Sequence, residues 1–262
     1  MAIYLKKFET QAAYEAAQPN LILPNVSLTV DNNTVHYNPS TPVPPTPTHD
    51  FVEIGGVKWA TMNVGANSIT DTGLYFQWGD TQGYTADQVG DGEGLKYFDW
   101  EDYKYAELDP SGSNGSGSGS GSGGGTYKMT KYNEIDGKTV LEASDDAVTA
   151  AWGGSWRMPT TAEYAALGNA VTTALTQVDG VYGMLCTDKT DSSKTLFFPA
   201  CGICNDGAVN NIGYGYYWSS SLHDSGYSLY VYDLDFDNIV VSWQNGAYYR
   251  CVGFAVRGVL GE

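Results

Sequence analysis

Basic residues are scarce in this chain. Thirteen Lys and Arg face 30 Asp and Glu over 262 residues, a formal charge of −17. Binding to a phosphate backbone depends on basic side chains, so nucleic acid is not expected as a partner. Histidine is rarer, and His36, His49 and His223 do not cluster in the sequence. No apolar run approaches the length of a membrane span, and none is expected to insert. The opening M-A-I-Y-L-K-K-F-E-T lacks the apolar stretch of a secretory signal peptide. A soluble protein is therefore expected. Four cysteines, Cys186, Cys201, Cys204 and Cys251, are too few for a disulfide scaffold at this length. Phenylalanine is sparse beside tyrosine, 8 against 20, and eight of the tyrosines lie between Tyr214 and Tyr249. Tyrosine joins a rigid apolar body to a polar tip, which suits a contact surface better than a core.

Hydrophobic residues make up 42% of the chain, ample for a sizeable core. Composition divides the chain. Residues 1–40 read as a small unit: a helix over Lys6 to Ala17, rich in helix formers, then a hairpin of Val26–Val30 and Thr34–Tyr37 around D-N-N. Residues 38–50 hold five prolines and read as an extended spacer, with the linker proper at 41–50. The main domain runs from 51 to 262. Its Gly-Ser tract at 111–125 predicts no packed structure, and is either a natural surface loop or an engineered replacement for one. Ser144 to Trp152 reads as a helix capped by Ser144. Thr160 or Thr161 caps a second helix, with Glu163 at the capping-box position. Short strands follow: 184–187, 195–198, 215–219, 228–236, 239–243 and 253–258. Two helices followed by short strands point to α+β with antiparallel pairing. Gln244 to Cys251, just before the last strand, follows no period and reads as irregular.

The reactive residue types form no convincing catalytic pattern. Cys201-Gly-Ile-Cys204 has redox or half-zinc spacing. No second C-x-x-C or H-x-H follows it, and no βαβ unit surrounds it. His223 lies near Ser219, Ser220, Ser221 and Asp224, but sequence neighbours rarely converge as a triad and no G-x-S-x-G elbow is present. Alternation aims Asp233, Asp235 and Asp237 to one face of a strand. A solvated acidic face explains them more simply than a Ca²⁺ site. Trp59, Trp78, Trp152, Trp156, Trp218 and Trp243 read as core, whereas Trp100, in the aromatic run Tyr97 to Tyr105, suits either core or surface.

Six pieces stand in order along the chain: V-K-W-A-T-M-N-V-G-A (57–66), Y-F-Q-W-G-D (75–80), W-G-G-S-W-R-M-P-T-T-A-E-Y (152–164), F-F-P-A (197–200), G-Y-Y-W-S-S-S (215–221) and G-F-A-V-R-G-V (253–259). This frame resembles the C-type lectin-fold proteins of gut Bacteroidales and their phages, and most of all the variable proteins of diversity-generating retroelements. The N-terminal unit resembles the start of phage structural proteins. The resemblance implies an α+β, C-type lectin-like fold over 51–262, with two helices and short, mostly antiparallel strands. It implies a variable region at about 200–252, rewritten at adenine-derived codons and displayed for ligand binding. The positions carrying residue types that such codons reach are Ile203, Cys204, Asp206, Tyr214, Leu222, His223, Asp224, Tyr227, Tyr230, Asp233, Asp235, Ala247, Tyr248, Tyr249, Cys251 and Val252.

The implied activity is binding without bond chemistry, and no enzyme, cofactor or metal is expected. The partner would be a protein or glycan receptor on a cell surface, and the N-terminal unit would attach to a phage particle, making this a virion protein. The G-G-S-W and G-F-A-V-R pieces also echo formylglycine-generating enzymes, but the context of their cysteine pair does not match. The alternative is a carbohydrate-binding module of fixed specificity and cation dependence. Against it, the E-P-N tripeptide of calcium-dependent lectins is absent, and Trp243-Gln244-Asn245 only partly echoes W-N-D.

Overall fold

The computed structural model describes residues 49–109, 127–224 and 229–261, together with the backbones of three short strands nearer the N-terminus. The chain divides into two units, Met1–Thr48 and His49–Glu262. In the first unit the described strands are β1 (Lys7–Phe8), β2 (Ser27–Val30) and β3 (Asn33–His36). The strands β2 and β3 pair antiparallel, with Val30 opposite Asn33, and β1 joins β2 in parallel. The hairpin thus lies where the two runs around D-N-N predict it. The helix expected over Lys6 to Ala17, most of the proline-rich spacer and the Gly-Ser tract fall outside the described residues.

The second unit opens with β4 (Phe51–Ile54), β5 (Val57–Asn63), β6 (Tyr75–Phe76), β7 (Ala106–Leu108) and β8 (Tyr127–Met129). Helix α1 (Ala147–Trp152), β9 (Trp156–Arg157) and helix α2 (Thr161–Ala170) follow. The rest is strand: β10 (Val171–Val178), β11 (Val181–Asp188), β12 (Thr195–Pro199), β13 (Ile203–Asn205), β14 (Ala208–Asn210), β15 (Gly215–Leu222), β16 (Tyr230–Phe236), β17 (Val241–Tyr249), β18 (Phe254–Ala255) and β19 (Arg257–Leu260). A five-stranded sheet has the order β17-β16-β15-β18-β6, and a four-stranded sheet the order β4-β5-β19-β9. A three-stranded meander, β10-β11-β12, and the pairs β13-β14 and β7-β8 complete it.

This architecture overturns the α+β, C-type lectin-like expectation. Among the described residues strands take 43% and helices 12%, spread over several small sheets, and two α-helices stand there. The physical reason is visible in three places. The residues after α2 continue as an eight-residue strand, β10, whose run V-T-T-A-L-T-Q-V is rich in β-branched residues but alternates weakly. The turn at Asp206-Gly207 folds 203–210 into a hairpin. And 244–249, read as irregular, belongs to the nine-residue strand β17. Its period is broken by a bulge: Asp233 faces Gly246, but Asp235 faces Ser242, so β17 carries two residues more than β16 across that step.

The helix signals hold with one shift. Thr160 caps α2 in a capping box, its hydroxyl accepting the Glu163 amide at 3.2 Å while the Glu163 carboxylate accepts the Thr160 amide at 2.8 Å. Helix α1 starts later than read. Its cap is Asp146, whose Oδ1 accepts from the amides of Val148 and Thr149 at 2.9 Å, and Ser144 lies in a 3-10 turn just before it.

Two buried clusters fill the second unit, and the five-stranded sheet contributes to both. Trp218 stacks on Phe254 at 4.0 Å in one, and Trp59 lies 5.4 Å from Tyr164 in the other. Arg257 is fully buried between segments far apart in sequence. Its Nε donates to Asn63 Oδ1 at 2.9 Å, Nη1 to the carbonyls of Ala60 and Thr61, and Nη2 to the Phe197 carbonyl at 2.9 Å. The guanidinium also lies 4.6 Å over the Phe198 ring. One side chain thus ties β5 and β12 to β19. Arg257→Met would strand these four acceptors in a dry interior. A loss of about 3 kcal/mol in unfolding free energy is expected, read from urea titrations, and an unchanged midpoint would show that the tie is dispensable.

Candidate ligand-binding site

Between β17 and the 98–100 segment lies a cleft of about 290 Å³. Four parts of the chain build it. The 98–100 segment supplies Phe98, Asp99 and Trp100, and the β13–β14 turn supplies Asn205 and Asp206. Strand β16 supplies Tyr230, and the end of β17 with the turn after it supplies Ala247, Tyr248, Tyr249, Cys251 and Val252. The rings interlock: Tyr230 stacks on Tyr249 at 4.7 Å, Trp100 meets Tyr249 edge-on at 5.7 Å, and Tyr248 stands nearly perpendicular to Tyr249. The Tyr230 hydroxyl is pushed up to about 12, first by its hydrogen bond to Tyr249 and then by burial.

Buried polar groups hold these pieces in register. Asp102 accepts the amides of Tyr97, Phe98 and Asp99, and this ring of donors shapes the 97–102 turn, where Phe98 takes a left-handed φ of 62°. Gln77 Nε2 donates to Asp102 Oδ1 at 2.6 Å and to the Cys251 carbonyl at 2.7 Å, joining the two sides of the cleft. Arg250, fully buried, donates from Nε to Tyr103 Oη at 2.7 Å, from Nη1 to the Tyr132 carbonyl and from Nη2 to the Lys131 carbonyl. The third side is fixed by backbone: Gly207 N–H donates to the Tyr97 carbonyl at 2.8 Å, and Cys204 and Gly253 exchange backbone bonds. Gly253 must be glycine here, since a Cβ would sit 2.4 Å from the Phe98 ring.

Of the residues singled out from sequence, seven line the cleft: Asp206, Tyr230, Ala247, Tyr248, Tyr249, Cys251 and Val252. Cys251 and Val252 are themselves buried and form its floor. Ile203 and Cys204 are buried in the core clusters and line no part of it. Tyr214 is half-buried beside the β13–β14 hairpin. Leu222, His223 and Asp224 gather at the end of β15, where the Tyr232 hydroxyl donates to Asp224 at 2.7 Å and the His223 ring lies 4.4 Å from Tyr232. They do not reach the cleft. Tyr227 lies outside the described residues. Phe98, Asp99, Trp100 and Asn205 line the cleft without having been anticipated from sequence. The density of aromatics from Tyr97 to Tyr105 was the available signal, and Trp100 proves buried against Tyr249.

Asp233 and Asp235 share a face, but they are not a solvated one. Asp233 is 2% exposed, and its Oδ1 is buried without a hydrogen-bond partner. A Cβ on Gly246 would sit 2.4 Å from an oxygen of each carboxylate, so both crowd the glycine across the bulge. Burial, then the charge of Asp235, pushes the Asp233 carboxyl well above the usual range, and burial likewise raises Asp235. Asp237 instead accepts two backbone amides at the hairpin tip, which hold its carboxyl low. Among the described residues no group of three or more His, Cys, Asp or Glu is arranged to hold a metal ion. The four cysteines are free and buried, and burial raises the Cys201 thiol to about 12 and the others upward too, so they remain protonated at neutral pH.

No family model, no curated protein and no solved structure matches this chain. No helix among the described residues is long and apolar enough to cross a membrane.

The buried acid pair makes a pH prediction. Unfolded, Asp233 has the ordinary pKa of 3.8. Above that value the folded protein holds more protons than the unfolded one, so this group lowers stability as pH rises towards its folded pKa. Asp233→Asn removes that contribution. The variant should unfold close to the parent at pH 4 and at a higher temperature than the parent at pH 8. A variant less stable than the parent by the same margin at both pH values would contradict the assignment.

Proposed function

We propose that this chain is a ligand-binding display protein, of the kind varied by a diversity-generating retroelement, which recognises a cell-surface receptor from a phage particle. The observation that carries the reading is the division of labour around 244–260. The run from Phe254 to Val259 is buried in the sheets. The residues just before it, Ala247 to Tyr249, are half-open on the wall of a cleft. A rigid frame next to an accessible, tyrosine-rich wall is the arrangement that recognition surfaces use: tyrosine gives contact area at little rotamer cost. The segments that meet there come from separate parts of the chain, so substitutions at each can change one shared surface.

This reading predicts a pattern in DNA. Deep sequencing of the locus in its source population should find an adjacent reverse transcriptase, a near-identical template repeat, and substitutions at adenine positions within codons 203–252. Accessible positions such as Asp206, Tyr230, Ala247, Tyr248 and Tyr249 should vary, whereas 253–259 should not. A uniform region with no template would sink the retroelement reading and leave a binding module of fixed specificity. Attachment has its own test. A chain lacking residues 1–48 should keep the fold of the second unit but fail to join the particle, and if it still joins, the N-terminal unit is not the anchor.

A further inference from the structure

We propose that the cleft takes a cationic side chain, a lysine ammonium or an arginine guanidinium presented by a protein partner. This rests on the display reading above and names the chemistry its cleft would recognise. Three observations point the same way. The walls are aromatic: Trp100, Tyr230, Tyr248 and Tyr249 all face the space, and aromatic faces attract cations, more strongly where water is displaced. The charged groups in the lining are Asp99 and Asp206, and no Lys, Arg or His stands among the lining residues. Each carboxylate has one oxygen engaged within the protein: Asp99 Oδ1 accepts the amides of Glu101 and Asp102, and Asp206 Oδ2 accepts from Asn205 at 3.2 Å. Among the described residues no hydrogen bond engages the other oxygen of either, which is left for a ligand.

The surroundings add to the bias. Lys96, near Phe98, is already engaged, with its Nζ 3.1 Å from Asp102 Oδ2, so it does not offset the acids of the cleft. Ala247 and Val252 give an apolar strip along which an aliphatic stem can lie. The −17 charge of the chain draws cationic partners towards it at long range. A neutral sugar would use the aromatic faces but leave two carboxylates partly desolvated without a counter-charge, which is unfavourable.

The test uses the full chain, labelled with ¹⁵N and titrated with Nα-acetyl-lysine methylamide and Nα-acetyl-arginine methylamide. Nα-acetyl-norleucine methylamide, with a similar stem and no charge, and methyl glucoside serve as neutral probes. The lysine and arginine probes should shift the amides of 205–207 and 247–252 and the Trp100 indole N–H, and the neutral probes should not. Asp206→Asn should weaken the lysine probe about three- to fivefold. Asn tolerates the left-handed φ of 51° at this position, so the turn is kept. Glu134→Gln removes the same charge from an exposed site and should change nothing. Equal shifts with norleucine would make the cleft an apolar pocket, and shifts with the glucoside in place of lysine would make it a sugar site. Equal weakening by Glu134→Gln would trace binding to the overall field, and no shift with any probe would remove the cation from the cleft. Each of these overturns the inference, while the display reading stands or falls separately on the population sequencing.

Discussion

A buried guanidinium holds the cleft together. Arg250 follows directly on β17, and its side chain is shut away from water. Taking a cation out of water is costly unless its donors are met. Here they are met by oxygens from the 103 and 131–132 segments, and the guanidinium stacks 5.1 Å from the Trp78 ring. Those segments have little regular structure to fix them. They must come to Arg250, and in doing so they bring the 98–105 loop against the end of β17. The Arg250 carbonyl accepts the Trp78 amide at 3.0 Å, and Gln77 reaches the Cys251 carbonyl beside it. The wall that carries Tyr248 and Tyr249 and the wall that carries Trp100 are therefore two ends of one polar network.

Arg257 does the same work seven residues on, for the opposite purpose. It gathers β5, β12 and β19 into a closed interior in which nothing is left accessible. Between the two arginines the chain passes from cleft floor to core strand, and Gly253 is the crossing point, pressed against Phe98. The short C-terminal stretch thus contains a recognition wall, a hinge of close packing and a structural anchor. Buried polar networks of this kind specify one arrangement because each donor has few acceptable acceptors. Not every buried polar atom is met: among the described residues Gln77 Oε1 and, in the acid pair behind Gly246, Asp233 Oδ1 lack a partner. Asp233 keeps an unpartnered oxygen in the interior, next to a bulge that reshapes the wall above it.

Much of the frame was legible in the sequence. Short runs of strand-forming residues mark β11, β12, β15 and β16, the capping box marks α2, and the D-N-N turn marks the N-terminal hairpin. What failed had local causes. Asp146, not Ser144, caps α1, because its carboxylate also holds the Met158 amide at 2.8 Å, a contact from a distant residue. The second part of β17, 244–249, was missed because a bulge breaks its period, and a bulge depends on the partner strand. Strand β10 was missed because it follows the helix without a turn residue between them. These omissions turned a mostly β protein into an apparent α+β one. For the cleft, the tyrosines of 230–249 were visible as a cluster, but Ile203 and Cys204, alike in residue type to their neighbours, proved to be core.

By itself the sequence determined the acidic balance, the lack of basic residues, the tyrosine-rich C-terminal region and the order of the frame strands. These depend only on composition and on patterns a few residues long. Tertiary structure alone decided which tyrosines are open, that Phe98 to Trp100 faces them, and that Asp233 is buried while Asp206 is not. Those outcomes depend on pairings between residues about 20 to 175 apart, such as Gln77 with Asp102 and Cys251. A pattern read along the chain has no access to such separations, because burial is a property of what arrives on the other side.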